Sequence, residues 1–195
     1  RARSAATLTQ VPLASLKSVL LSVFVGAMIA VGARFGFTWR QQLIAIAGIV
    51  FVPQFIWESQ RDLTHSVLAT ALAACTLLQV VRARIRPVLG NYLALGVLAG
   101  LGLLSKYNYA IFLLALVAAM ATVPRYRAVL GNARFLATVC VMVAVAAPHA
   151  LWLADNYALA SSGIERPHGD QGNVFSGLGV AVTAALAFLT PLWLF

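Results

Sequence analysis

Residues 61–87 read RDLTHSVLATALAACTLLQVVRARIRP: a polar head with Arg61, Asp62 and His65, an apolar run over about 63–81, and a tail of three arginines with no acid. The run approaches the roughly 20 residues that a helix needs to cross the hydrocarbon of a bilayer. Its ends differ in kind. Lys and Arg in short loops are retained on the cytoplasmic side, so the arginine tail gives the segment a direction as well as a depth.

The rest of the chain repeats this pattern. Its 195 residues are 62% hydrophobic and 10% charged, with a mean hydropathy of +0.90, too apolar for a soluble domain whose core is balanced by a polar surface. Seven runs approach spanning length, at about 15–33, 42–57, 63–81, 89–105, 108–124, 134–153 and 174–195,. The expectation is an all-α, polytopic transmembrane helix bundle of about seven segments. Pro53 near the end of the second run, and the short polar tetrad Ser105-Lys106-Tyr107-Asn108 between the fourth and fifth, make those segments tilted, broken or shallow,. Gly96 and Gly100 form a G-x-x-x-G pair that lets a neighbouring helix approach closely,. Cys75 and Cys140 sit inside apolar runs without the spacing of a zinc or redox motif and read as packing residues,. The basic stretch Arg1 to Gln10 lacks the short apolar region and cleavage site of a signal peptide,.

Charge separates the loops into two sets. The connections Arg34–Arg40, Arg82–Arg86 and Arg125–Arg134 hold eight arginines and no acid, which directs them to the cytoplasm,. The alternate connections hold every acid of the chain, Glu58, Asp62, Asp155, Glu165 and Asp170, and face outward. The net charge of +9 is therefore a topology signal; the basic residues are spread over several loops, not gathered on one face as a nucleic-acid footprint would be,. On this reading residues 1–16 lie outside, which departs from strict positive-inside placement for Arg1 and Arg3.

A site, if present, opens on the outward side. With the third helix starting near Ser59, Glu58, Asp62 and His65 fall on one stripe, which can hold a divalent metal or set a base against a hydroxyl,. The same residues also fit helix capping, since Ser59-x-x-Asp62 is a capping box and first-turn acids favour the helix dipole. Lys106, one of two lysines, suits a phosphate, with Tyr107 and Tyr109 as hydrogen-bond donors,. It equally fits a lysine snorkelling to headgroups beside an aromatic belt. His149 in PHALWLADNYA reads more readily as a hydrogen-bonded structural histidine than as part of the site,. In the loop SSGIERPHGDQGN, Glu165, His168 and Asp170 can contact a hydrophilic substrate or simply be solvated,.

In order, P-x-F-x-x-E-x-Q-R-D-x-T-H, GLGLLSKYNYA and PHALWL resemble the bacterial membrane glycosyltransferases of family 39, the dolichyl-phosphate-mannose-protein mannosyltransferase-like group. That group includes aminoarabinose and galacturonic acid transferases acting on lipopolysaccharide. The resemblance implies a GT-C bundle in the bacterial inner membrane with its active site on the periplasmic face. It implies a polyprenyl-phosphate sugar as donor and a lipid, glycan or protein as acceptor. By resemblance Asp62 is an acid of the site, His65 and Glu58 are supporting or metal-contacting groups, and Lys106, Arg61 and Tyr107 meet the donor phosphate. The family's acidic pair after the first membrane helix, which carries the expected catalytic base, has no counterpart here. Residues 1–195 are therefore expected to be part of one transmembrane glycosyltransferase domain, truncated at both ends and inactive alone. A transporter or flippase subunit also places charges at helix breaks, but the inverted repeats that favour one are not seen.

Overall fold

The computed structural model describes residues 2–50 and 64–156, with side chains from 14 to 49 and from 65 to 156. Among these residues there are seven helices and no strand: α1 (Ala2–Arg34), α2 (Trp39–Val50), α3 (Thr64–Ile85), α4 (Leu89–Ser105), α5 (Tyr109–Thr122), α6 (Pro124–Leu130) and α7 (Arg134–Asp155). The all-helical membrane bundle expected from composition is the observed architecture. Ala14–Arg34 of α1, His65–Ile85 of α3 and the whole of α7 are long and apolar enough to cross a membrane.

The described residues show fewer than the seven expected spans. α2 provides 12 described residues of the second run, and the run at 174–195 lies outside the described residues. The fifth run is not a straight span: α5 and α6 meet at a bend of 118°. The cause is local. Val123 adopts an extended conformation, φ −92 and ψ 111, because the residue before a proline is driven out of the helical region, and Pro124 then opens α6 from its favoured first position. Counting that bent pair as one gives four spans at most among the described residues.

Two seams hold the bundle. α1 and α3 lie side by side through Phe24 and Ala27 on one and Ala71, Ala74 and Leu78 on the other; the alanines keep the two backbones near. α4 meets α7 at its glycines. A Cβ on Gly96 would stand 2.6 Å from the Thr138 carbonyl oxygen, and one on Gly100 2.7 Å from Val145 Cβ. The G-x-x-x-G pair is thus a contact face, and Thr138 Oγ1 locks it by donating to the Tyr92 carbonyl at 2.9 Å. Van der Waals packing of small residues and interhelical hydrogen bonds are what associate helices where the solvent is as apolar as leucine.

These seams put the arginine connections at one end of the bundle. Gly36, with φ +77, turns the chain between α1 and α2, leaving Arg34 and Arg40 on the same side. Arg34, Arg82 and Arg86 line one cavity there, while Arg84 and Arg125 line another. α3 then runs 22 residues away from them, roughly 33 Å at 1.5 Å per residue, to the opposite end, where His65 lies.

Candidate functional site

At that opposite end the break between α4 and α5 carries Lys106. Ser105 Oγ donates to the Gly102 carbonyl at 2.7 Å, and Lys106 turns extended, φ −162 and ψ 132, so that its own N–H still reaches Gly102. The helix thereby stops with two donors on the Gly102 carbonyl,. α5 restarts at Tyr109, whose ring packs directly on Gly102, where any Cβ would overlap it. Tyr109 OH pairs with Thr76 Oγ1 of α3 at 2.8 Å, buried among α3, α4 and α5.

This buried anchor fixes the tetrad above it. Lys106 Nζ donates to Ser66 Oγ at 3.1 Å, joining the break to the first turn of α3, 40 residues earlier in the chain. Tyr107 OH and His149 Nε2 of α7 are 3.2 Å apart. The His149 ring is stacked at 6.2 Å from Tyr107 and at 6.1 Å from Trp152. Lys106 and Tyr107 are exposed, and His149 is half-buried. One ammonium and a row of three aromatic rings therefore face outward from the junction of α3, α4, α5 and α7.

Of the residues expected at the site, Lys106, Tyr107 and His65 are described. The structure brings Lys106 to the turn of α3 that carries His65, an exposed side chain next to Ser66. Glu58, Arg61, Asp62, Glu165, His168 and Asp170 lie outside the described residues. Among the described residues no group of three His, Cys, Asp or Glu side chains could hold a metal. His149 is hydrogen-bonded, as the sequence reading favoured, but its partner Tyr107 is 42 residues away, and no local pattern announces it.

Below the site an apolar cavity of about 400 Å³ opens between α3, α4, α5 and α7, lined by Val80, Leu95, Leu113, Met120, Phe135 and Met142 among others. Thr76, the partner of Tyr109, also borders it.

The family model described as dolichyl-phosphate-mannose-protein mannosyltransferase matches residues 10–152. The chain belongs to this family. Membership agrees with the resemblance carried by RDLTH, LLSKYNYA and PHALWL; the first two fall inside the matched region and PHALWL reaches one residue past its end. Two curated relatives come from Rhizobium johnstonii. The lipopolysaccharide core galacturonosyltransferase RgtB is 37% identical over 122 residues, 62% of this chain and 25% of that protein. The lipopolysaccharide core galacturonosyltransferase RgtA is 37% identical over 123 residues, 61% of this chain and 24% of that protein. The chain thus spans about a quarter of the length of the family relatives it matches. No solved structure matches it.

Proposed function

We propose that this chain forms part of a membrane glycosyltransferase that moves a sugar from a polyprenyl-phosphate-linked donor to a lipid or glycan acceptor on the periplasmic face of the bacterial inner membrane. The observation that carries the reading is the Lys106–Ser66 contact. It holds an ammonium at the start of α3, at the end of the bundle remote from the arginine connections, in a chain of a glycosyltransferase family. The names of the two relatives make a galacturonosyl group the sugar and lipopolysaccharide core the acceptor to test first.

The chemistry follows from the charges that develop. An acceptor hydroxyl attacks the anomeric carbon, its proton passes to a carboxylate, and the anomeric C–O bond breaks to release the polyprenyl phosphate. In this scheme Asp62 is the second acid beside the carboxylate that takes the proton, supported by Glu58 and His65. Lys106, with Arg61 and the Tyr107 hydroxyl, stabilises the phosphate oxygens as they gain charge. Glu165, His168 and Asp170 belong to the loop that meets the sugar or acceptor. The apolar cavity of about 400 Å³ beneath Lys106 suits the first isoprene units of the donor, because it lies between the helices and is lined by hydrophobic side chains,. A transporter reading draws no support from the family match or from either relative.

Complementation with the full-length gene tests the reading. Asp62→Ala, His65→Ala and Lys106→Ala are expected to insert normally while the surface glycolipids lose the mass of one sugar, which mass spectrometry then identifies. Wild-type glycolipids in all three variants would remove the chemical basis of the proposal.

A further inference from the structure

The arginine end holds more than a topology signal. Retention of loops in the cytoplasm depends on how many Lys and Arg they carry; it does not require that guanidinium groups from different helices converge. Here three do. Arg34 at the end of α1, and Arg82 and Arg86 one turn apart at the end of α3, line a single cavity of about 440 Å³ together with Ile85 and Asn91.

The floor of this cavity is built from hydrogen bonds. Gln79, buried within the bundle, donates to the Asn91 carbonyl at 2.9 Å and to Asn91 Oδ1 at 3.1 Å. Asn91 Nδ2 donates in turn to the Arg86 carbonyl at 2.7 Å and, more weakly, to that of Arg82 at 3.5 Å. Carbonyls at the end of α3, which arginine side chains often cap, are thus served by Asn91. Asp155, the one acid among the described residues, closes the far end of α7. Three like charges facing one space repel each other, and an anion with several acceptor oxygens relieves the repulsion.

We infer that this cavity binds the phosphate group of an anionic membrane lipid. Guanidinium groups pair with phosphate oxygens in bidentate fashion, and basic pockets between membrane helices on the cytoplasmic side are suited to lipid headgroups. Ile85, exposed at 48% and lining the same cavity, gives the acyl region an apolar wall that a free phosphate ion would not use. The inference does not depend on the transferase reading, since it concerns the opposite end of the bundle.

The test uses the full-length protein in neutral detergent, titrated with phosphatidylglycerol, phosphatidylcholine or inorganic phosphate, with bound lipid counted by native mass spectrometry. Saturable phosphatidylglycerol binding is expected, with phosphatidylcholine and inorganic phosphate at least about tenfold weaker. The variant Arg34→Gln, Arg82→Gln, Arg86→Gln is expected to lose on the order of 100-fold, at about fivefold per arginine. The variant Arg40→Gln, Arg127→Gln, Arg134→Gln removes the same charge from the same end outside the cavity and is expected to change affinity less than about threefold. Equal losses in both triples would mean a diffuse surface attraction and overturn the site. Inorganic phosphate binding as tightly as the lipid would overturn the lipid as its ligand. Should the glutamine triple fail to insert, the Arg34→Lys, Arg82→Lys, Arg86→Lys variant keeps the charge. It is expected to lose about threefold or more, and unchanged binding would exclude a guanidinium-built site.

Discussion

The two ends of the bundle handle charge in opposite ways. At one end eight arginines sit at helix termini and in short connections, so their end of the bundle is set by local sequence, while Arg84 also lies over the Tyr126 ring. At the other Lys106 is placed by a contact across 40 residues, beside a tyrosine whose partner is 42 residues away. Local placement serves orientation in a membrane, which only needs charge on one side. Placement by tertiary contacts is what a reacting site needs, because positioning to well under an ångström decides the rate.

Two tyrosines sharpen the contrast. Tyr109 OH, beneath the Lys106 end, is paired with Thr76, whereas Tyr126 OH, at the arginine end, is buried without a hydrogen-bond partner among the described residues. The Tyr126 ring instead lies under the Arg84 guanidinium, 5.5 Å from its centroid, so its hydroxyl is carried by a packing and cation–π role.

The largest expected effect separates the ends by activity. Lys106→Ala in the full-length enzyme should slow sugar transfer on the order of 100-fold, while Arg40→Gln, which removes the same charge at the arginine end, should leave the rate within about twofold. Comparable losses would erase the distinction. Next comes packing beneath the site. Gly102→Ala pushes a methyl into the Tyr109 ring and should cost up to about 3 kcal/mol in detergent unfolding, as overpacked sites do; an unchanged midpoint would mean that the α4–α5 break is soft.

The tyrosines come third. Tyr109→Phe leaves Thr76 without its partner and should cost about 1–3 kcal/mol, largely recovered when Thr76→Val is added. Tyr126→Phe removes an unpaired buried hydroxyl and should be neutral or stabilising by about 1 kcal/mol. If both phenylalanine variants lose stability equally, the contrast between the two hydroxyls fails. Smallest is Tyr107→Phe. It breaks an exposed contact to His149 and should cost about 0.5 kcal/mol or less, with any larger change appearing in activity.

Features written in local composition were legible before the structure. The run at 89–105 is α4 to the residue, and 63–81 and 134–153 lie almost wholly within α3 and α7. The G-x-x-x-G face and the clustering of arginine loops at one end also followed, since helix length, small-residue spacing and loop charge are all local quantities. The bend at Val123-Pro124 was readable in principle, but an apolar stretch ending in proline reads equally well as a span that has finished. The Tyr107–His149 pair and the Thr76–Tyr109 anchor were not legible, because they depend on which helix faces meet. The sequence around His149 supports a hydrogen-bonded histidine without saying that its partner is Tyr107.

The central proposal is that the Lys106 end and the arginine end face opposite sides of the membrane, with the proposed reaction on the outer one. It is tested most directly in a protein carrying Cys75→Ala and Cys140→Ala, to which Tyr107→Cys or Arg86→Cys is added singly. Intact spheroplasts are then treated with a membrane-impermeant maleimide. The account predicts that position 107 labels at once and position 86 only after the membrane is opened. Labelling of position 86 in intact cells, with position 107 protected, would contradict it.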